Sequence, residues 1–296
     1  MSLSMPSPET PRIPEPTRPE AEMLVRPIRP RSYAVSLLGN TRVATAGGQA
    51  SLKPSLGRSL LELLAMRAGE PVPVELIAEE LWEATPPAQP RQAVQAHVRR
   101  LRRVLDVSGV PTDALPIRSA GGGYVLDIPA HAVDALHMIT LVDDATTAPV
   151  LDTESVVAIL GQALDIWFGE PFGGLADGPW HRNAVRYWGE VRSLALRAWA
   201  GAHLRLNRPQ PVITRLHATR LGDSTDEGLI ILLISALCQV GRKVEALETY
   251  RSLRNRLVSQ YGVEPSPDLQ RFYQQILLDD GDARFQASLL LAAVGT

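Results

Sequence analysis

Between Arg91 and Leu105 the chain carries a segment whose residue types suit one kind of helix. At 3.6 residues per turn, Val98, Leu101 and Leu105 fall within about 40 degrees of Val94, which gives a single apolar stripe. The opposite side holds Gln92, Ala96, Arg99 and Arg103, with Arg100 and Ala93 at its edge. Alanines let a helix axis come close to a surface, and arginines reach past them. No acid stands between Arg99 and Arg103 to form i,i+4 pairs, so these cations repel one another unless a polyanion compensates. A solvated charged face is the plain alternative. The sharper reading is a helix for the major groove of double-stranded DNA, where arginine grips guanine or phosphate and glutamine satisfies an adenine edge.

The elements around this helix favour the sharper reading. Upstream, Tyr33–Leu38, Thr41–Thr45 and Gln49–Leu52 alternate like short strands and are separated by Gly39-Asn40 and Gly47-Gly48, which predicts a small antiparallel sheet. Leu56, Leu60, Leu63 and Leu64 share one helical face that stops at Gly69, and Val74 to Trp82 makes a second helix. The loop Glu83–Pro90 carries three prolines and cannot be helical throughout. After the cationic helix, Ile117 to Ile128 reads as a hairpin bent at Gly121-Gly122-Gly123. Three helices followed by a glycine hairpin is the order of a winged helix-turn-helix, in which the hairpin can reach the backbone or minor groove through Arg118 and Tyr124.

From Asp134 onward the pattern is helical. Asn207-Arg208 and Gly241-Arg242 each separate two helical segments, and 241 − 207 = 34. At the same offset Leu204 matches Cys238, Ile213 matches Leu247 and Leu216 matches Tyr250, the period of a tetratricopeptide-like helix pair. The fold class expected is therefore an α+β winged helix-turn-helix with a small antiparallel sheet and a wing hairpin, followed by an all-α tetratricopeptide-like domain. Expected boundaries are a proline-rich disordered tail over 1–30, the winged helix over 31–130, the helical domain over 131–279 and a tail over 280–296.

Composition narrows the function classes. Hydrophobic residues make up 45% of 296 and the formal net charge is −2, so any basic face must be local and balanced elsewhere. The single cysteine, Cys238, rules out a disulfide framework and a cysteine zinc site. None of the six histidines has metal-ligand spacing, and the glycine triplet lacks the lysine and helix of a phosphate loop. No enzyme, metal or cofactor is expected. The apolar window Leu229–Val240 is too short to cross a bilayer, which gives the expectation of a cytoplasmic, nucleoid-associated protein.

His97-Val-Arg-Arg-Leu-Arg-Arg103, followed by Gly123-Tyr124-Val125, resembles the recognition helix and wing of OmpR-type regulators. Over residues 33–278 the chain resembles the Streptomyces antibiotic regulatory protein family, which joins that module to a bacterial transcriptional activator domain. Leu38-Gly39, Leu81-Trp82, Pro86-Pro87, Ala163–Gly169, Ala236–Arg251 and Tyr261–Leu269 carry the rest of the likeness. The resemblance implies that Gln95, His97, Arg99, Arg100 and Arg102 contact DNA, with Arg100 and Gln95 at base edges and the others on phosphate. The wheel instead puts Gln92, Arg99 and Arg103 outermost and Arg102 off that face. Ala120 stands where relatives often carry arginine, so minor-groove contact by the wing falls to Arg118.

The resemblance also implies a transcription activator of secondary-metabolite genes that binds direct repeats as a homodimer and recruits RNA polymerase. Sigma factor region 4 is the expected contact, with the alpha C-terminal domain as a further one. The acidic second helix and the loop after it (Glu79, Glu80, Glu83, Pro86 and Pro87) are the candidate polymerase surface. A solvated helix face is the plain alternative there. A helical-repeat adaptor that binds only proteins would account for the second half of the chain but leaves the first unexplained.

Overall fold

The computed structural model describes residues 33–45, 48–83, 85–147, 151–175, 178–219 and 225–278. The expected tails over 1–30 and 280–296 lie outside the described residues. Strands β1 (Val35–Ser36), β2 (Arg42–Thr45) and β3 (Gly48–Ser51) form an antiparallel sheet in that order, with Val43 opposite Val35 on one side and Ala50 on the other. The first strand is shorter than its apolar run. Leu37 and Leu38 donate their backbone N–H groups to the Asp134 carboxylate, at 2.7 and 3.1 Å, in place of a ladder partner.

Helix α1 (Leu56–Met66) opens on Ser55, whose hydroxyl oxygen accepts from the Arg58 N–H at 3.2 Å. Helix α2 spans Val74–Trp82 and α3 spans Pro90–Val107, where proline at the first position replaces a donor that would have no partner. Between α1 and α2 lies β4 (Val72–Pro73), which the sequence pattern did not suggest. It pairs with β6 (Gly123–Leu126), which in turn pairs with β5 (Ile117–Ala120), giving a second antiparallel sheet in the order β4-β6-β5. Gly121 and Gly122 both have positive φ, the conformation a two-residue hairpin turn needs to match strand twist.

The rest is helical: α4 (Asp134–Thr147), α5 (Thr153–Asp165), α6 (Pro179–Arg205), α7 (Pro209–Ala218), α8 (Glu227–Gln239), α9 (Lys243–Tyr261) and α10 (Pro267–Leu278). The 34-residue spacing is visible in the backbone, since Asn207 and Gly241 both turn the chain with positive φ. Leu204, Ile213, Leu216 and Tyr250 are buried in this half, whereas Cys238 is only half-buried. Trp188 and Trp199 are core residues, and Arg215 lies over the Trp199 ring at 4.8 Å. No helix among the described residues is long and apolar enough to cross a membrane.

The two halves share a continuous hydrophobic core and are also joined through polar groups. Backbone bonds run from Phe172 N to Leu37 O at 2.8 Å and from Gly173 N to Gly39 O at 2.7 Å. A buried cluster lies beside them. Arg58 Nε donates to Glu62 Oε1 at 2.6 Å, Arg58 Nη2 donates to the Phe172 carbonyl, and Thr41 donates its hydroxyl to Glu62. His181 of α6 closes the cluster, with Nδ1 at 2.7 Å from Glu80 Oε1 and Nε2 at 3.2 Å from Glu62 Oε2; the second contact has ion-pair distance without hydrogen-bond alignment.

Candidate nucleic-acid interface

Four faces of α3 have four different surroundings. Val94, Val98, Leu101 and Leu105 are buried, and the helix packs on both α1 and α2. That contact fixes the helix axis, so the outward residues are presented by a rigid element rather than by a loop. Gln92, Arg99 and Arg103 are exposed on the opposite side, with Gln95 and Arg100 exposed to either side of them. None of these three arginines is in an ion pair among the described residues. The result is a cationic strip backed by apolar packing.

Arg102 is only half-exposed and donates through Nη2 to the Ile117 carbonyl at the start of β5. In the free protein it ties the helix to the wing sheet, in keeping with its place off the outer face of the wheel. His97 is half-buried with its ring edge against Trp82, the centroids 5.5 Å apart. Burial, helped by the Arg100 charge, holds its pKa below the usual histidine value. At neutral pH His97 is therefore an uncharged imidazole. Arg118 is exposed on the wing and paired with Asp127 at 2.6 Å, a contact weak enough in water to be exchanged for a phosphate.

Two expected contacts are corrected. Tyr124 lies on the central strand of the wing sheet, opposite Val72 on one side and Ser119 on the other, and is only 7% exposed. Its ring is part of the core, so the aromatic face expected to meet the duplex is covered. Glu80 is 5% exposed and accepts from Trp180 N at 2.6 Å and His181 N at 3.0 Å. These are N–H groups in the first turn of α6, whose own N-cap, Gly178, supplies no side-chain bond. Glu80 therefore caps a helix of the other half and cannot belong to an exposed polymerase surface.

Of the other residues in that candidate surface, Glu79 and Pro86 are exposed and Pro87 is half-buried. Glu83 is exposed, has positive φ and meets Arg182 of α6 at 2.6 Å. The sequence shows Glu80 as one of several acids on α2. Its cap partner lies about 100 positions away, and no local pattern reports it.

Residues 50–126 match the family described as "Transcriptional regulatory protein, C terminal", and residues 133–277 match "Bacterial transcriptional activator domain". The transcriptional regulator RedD of Streptomyces coelicolor is 32% identical over 83% of this chain and 71% of its own length. The chain belongs to the Streptomyces antibiotic regulatory protein family. Regulatory protein DnrI of Streptomyces peucetius is 33% identical over 75% of this family member and 84% of its own length. The solved structure of Mycobacterium tuberculosis EmbR in complex with a low-affinity phosphopeptide matches with a TM-score of 0.70 at 27% identity, over 88% of this chain and 69% of that one. The likeness bears out the expected fold class, small antiparallel sheets with helices followed by a helical domain. As a member of this family the chain is a transcriptional regulator and not an enzyme.

The junction in this family member is also titratable. Burial pulls the His181 pKa down, but the hydrogen bond to Glu80, the close approach of Glu62 and the charge on both outweigh it, so the pKa is raised. With His181 protonated, the cluster of Arg58, His181, Glu62 and Glu80 sums to zero charge. A raised folded-state pKa means that the native protein keeps a proton that the unfolded chain releases above the ordinary histidine value of 6.5. That stabilisation is complete below pH 6.5 and is lost as pH rises through the folded pKa. Asp134 adds a slope of the same sign at lower pH, because burial raises its pKa to about 6 despite the N–H bonds from Leu37, Leu38 and Ala135. Urea midpoints should therefore fall as pH rises above about 6.5, and His181→Gln should flatten that part of the profile.

Proposed function

We propose that this regulator is a sequence-specific activator that lodges α3 in the major groove of duplex DNA. The observation that carries the reading is the exposed strip of Gln92, Gln95, Arg99, Arg100 and Arg103, unneutralised by carboxylates, on a helix held from behind by four buried aliphatic residues. Arg99 and Arg103 act on phosphate, while Arg100 and Gln95 act on base edges. Arg118 reaches the backbone from the wing after releasing Asp127. Arg102 sets the angle between helix and wing through the Ile117 carbonyl, and His97 supports Trp82 on the other flank of α3.

Two copies stand side by side on direct repeats, and the helical half mediates their contact. RNA polymerase is recruited by the same assembly through sigma factor region 4 and the alpha C-terminal domain, with Glu79, Glu83, Pro86 and Pro87 as the exposed remainder of the α2–α3 surface. The genes served are those of secondary metabolism. This reading rests on membership of the family and on the exposure of those residues.

Fluorescence anisotropy on an operator duplex found by genome-wide footprinting tests the DNA contact. Affinity should fall steeply with salt as counterions are retained in the medium. Arg99→Ala should weaken all sequences together and reduce the salt slope by about 1, whereas Arg100→Ala should cost roughly 5- to 150-fold on the operator and relax base preference. If neither substitution changes duplex affinity, α3 does not read DNA.

A further inference from the structure

One flank of α3 faces neither the core nor the proposed duplex. On the wheel, His97 and Val104 lie roughly 60 and 80 degrees from Val94, on the side away from Arg102, with Arg100 beyond them. Along this flank the helix and the start of α1 enclose a groove of about 540 Å³. Leu52, Leu56, Leu101 and Val104 supply its apolar lining, and Lys53 and Arg100 stand at its rim.

Three features set the groove apart from ordinary surface. Its outer aliphatic residues are open: Leu56 is 36% exposed and Val104 44%. A cluster of open aliphatic side chains on a domain otherwise well packed marks an interaction surface rather than scattered surface apolarity. Neither Lys53 nor Arg100 has a carboxylate partner among the described residues, so the rim carries uncompensated positive charge. His97 Nδ1, at the inner wall, is buried and has no hydrogen-bond partner.

We propose that this groove receives an amphipathic helix of a partner protein, its apolar face on Leu56 and Val104 and its carboxylates on Lys53 and Arg100. The chemistry selects this occupant. A duplex offers charge but no apolar stripe to cover Leu56 and Val104, and a basic helix would be repelled at the rim. Ser51, the last residue of β3, lines one end of the groove, but the floor lies between α1 and α3, so a strand added to the sheet edge would leave most of it unfilled. Because Arg100 is shared with the proposed base contact, the partner helix and DNA compete for it.

The test uses the full chain and a fluorescein-labelled synthetic helix of about 18 residues, with leucines at i, i+3, i+4 and i+7 and glutamates flanking them. The expected result is micromolar binding that drops about tenfold or more for the Leu56→Asp/Val104→Asp double variant, for a lysine-flanked peptide and for a peptide with a central proline. Leu56 and Val104 are both partly open to solvent, so the double variant should keep its thermal midpoint. No binding of the acidic peptide, or equal binding by the double variant, overturns the proposal. Two other results also overturn it by naming a different occupant. Loss of self-association in sedimentation of the double variant would point to a second copy of the chain, and about tenfold tighter peptide binding after deletion of residues 279–296 would point to the chain's own end.

Discussion

Glu80→Ala should lower the free energy of unfolding by about 3–5 kcal/mol, among the largest effects available to a single side chain outside the apolar core. The carboxylate makes three contacts at once: 2.6 Å to Trp180 N, 3.0 Å to His181 N and 2.7 Å to His181 Nδ1. Truncation leaves two N–H groups in the first turn of α6 without a protein partner in a buried site, where each lost bond costs more than the bond contributes net. It also leaves Arg58 and protonated His181 facing Glu62 alone, an uncompensated positive charge in a cluster that had summed to zero. Water cannot readily take over, because His181 is 1% exposed. Glu80→Gln keeps one oxygen acceptor and loses the charge, so it should fall between wild type and alanine.

The damage should concentrate at the junction. Chemical denaturation followed by far-ultraviolet circular dichroism and by tryptophan fluorescence should give coincident transitions for the wild type and separated ones for Glu80→Ala, as the halves lose their common cooperativity. Coincident curves with an unchanged midpoint would show that Glu80 is no more than one acid among several on α2. The same result would remove the reason for excluding it from a partner surface.

How much of this was legible in the sequence follows from the range of the interactions involved. Helix α2 has the bounds its apolar spacing suggests, and the cationic helix and the glycine hairpin stand where expected, because period and turn chemistry act over a few residues. The pairing of Asn207 with Gly241 was legible too, since both sit at a turn that must reverse the chain. Strand β4 was not. Val72–Pro73 sits next to Pro71 and reads as a break, and it becomes a strand only because Tyr124 and Gly123 lie opposite it. The shortening of β1 has the same origin, as Asp134, nearly 100 residues away, captures the N–H groups that would have extended it. At the site, the outward face of α3 came from its wheel alone. The Arg102 bond to Ile117 and the cap role of Glu80 depend on partners that no helical pattern encodes.

The wing offers the second large effect. Gly123→Ala should destabilise the winged-helix half by about 3 kcal/mol or more, although Gly123 is the one glycine of the triplet whose backbone an alanine could adopt. The obstacle is space. A Cβ on Gly123 would lie 1.8 Å from the Val72 carbonyl oxygen and 2.8 Å from Pro73 Cα, and both are backbone atoms that cannot rotate aside. Either β4 separates from β6, or β6 shifts and carries Tyr124 and Leu126 out of the core. Gly122→Ala is the control, because its Cβ would enter open space and the substitution bears only the cost of positive φ, about 1–2 kcal/mol. Since β5 holds Arg102 through the Ile117 carbonyl, displacement of the sheet should also loosen α3 against the wing. Operator affinity should then fall further for Gly123→Ala than for Gly122→Ala at equal folded fraction. Equal melting temperatures for the two variants would mean that β4 and β6 do not pair as closely as the backbone shows.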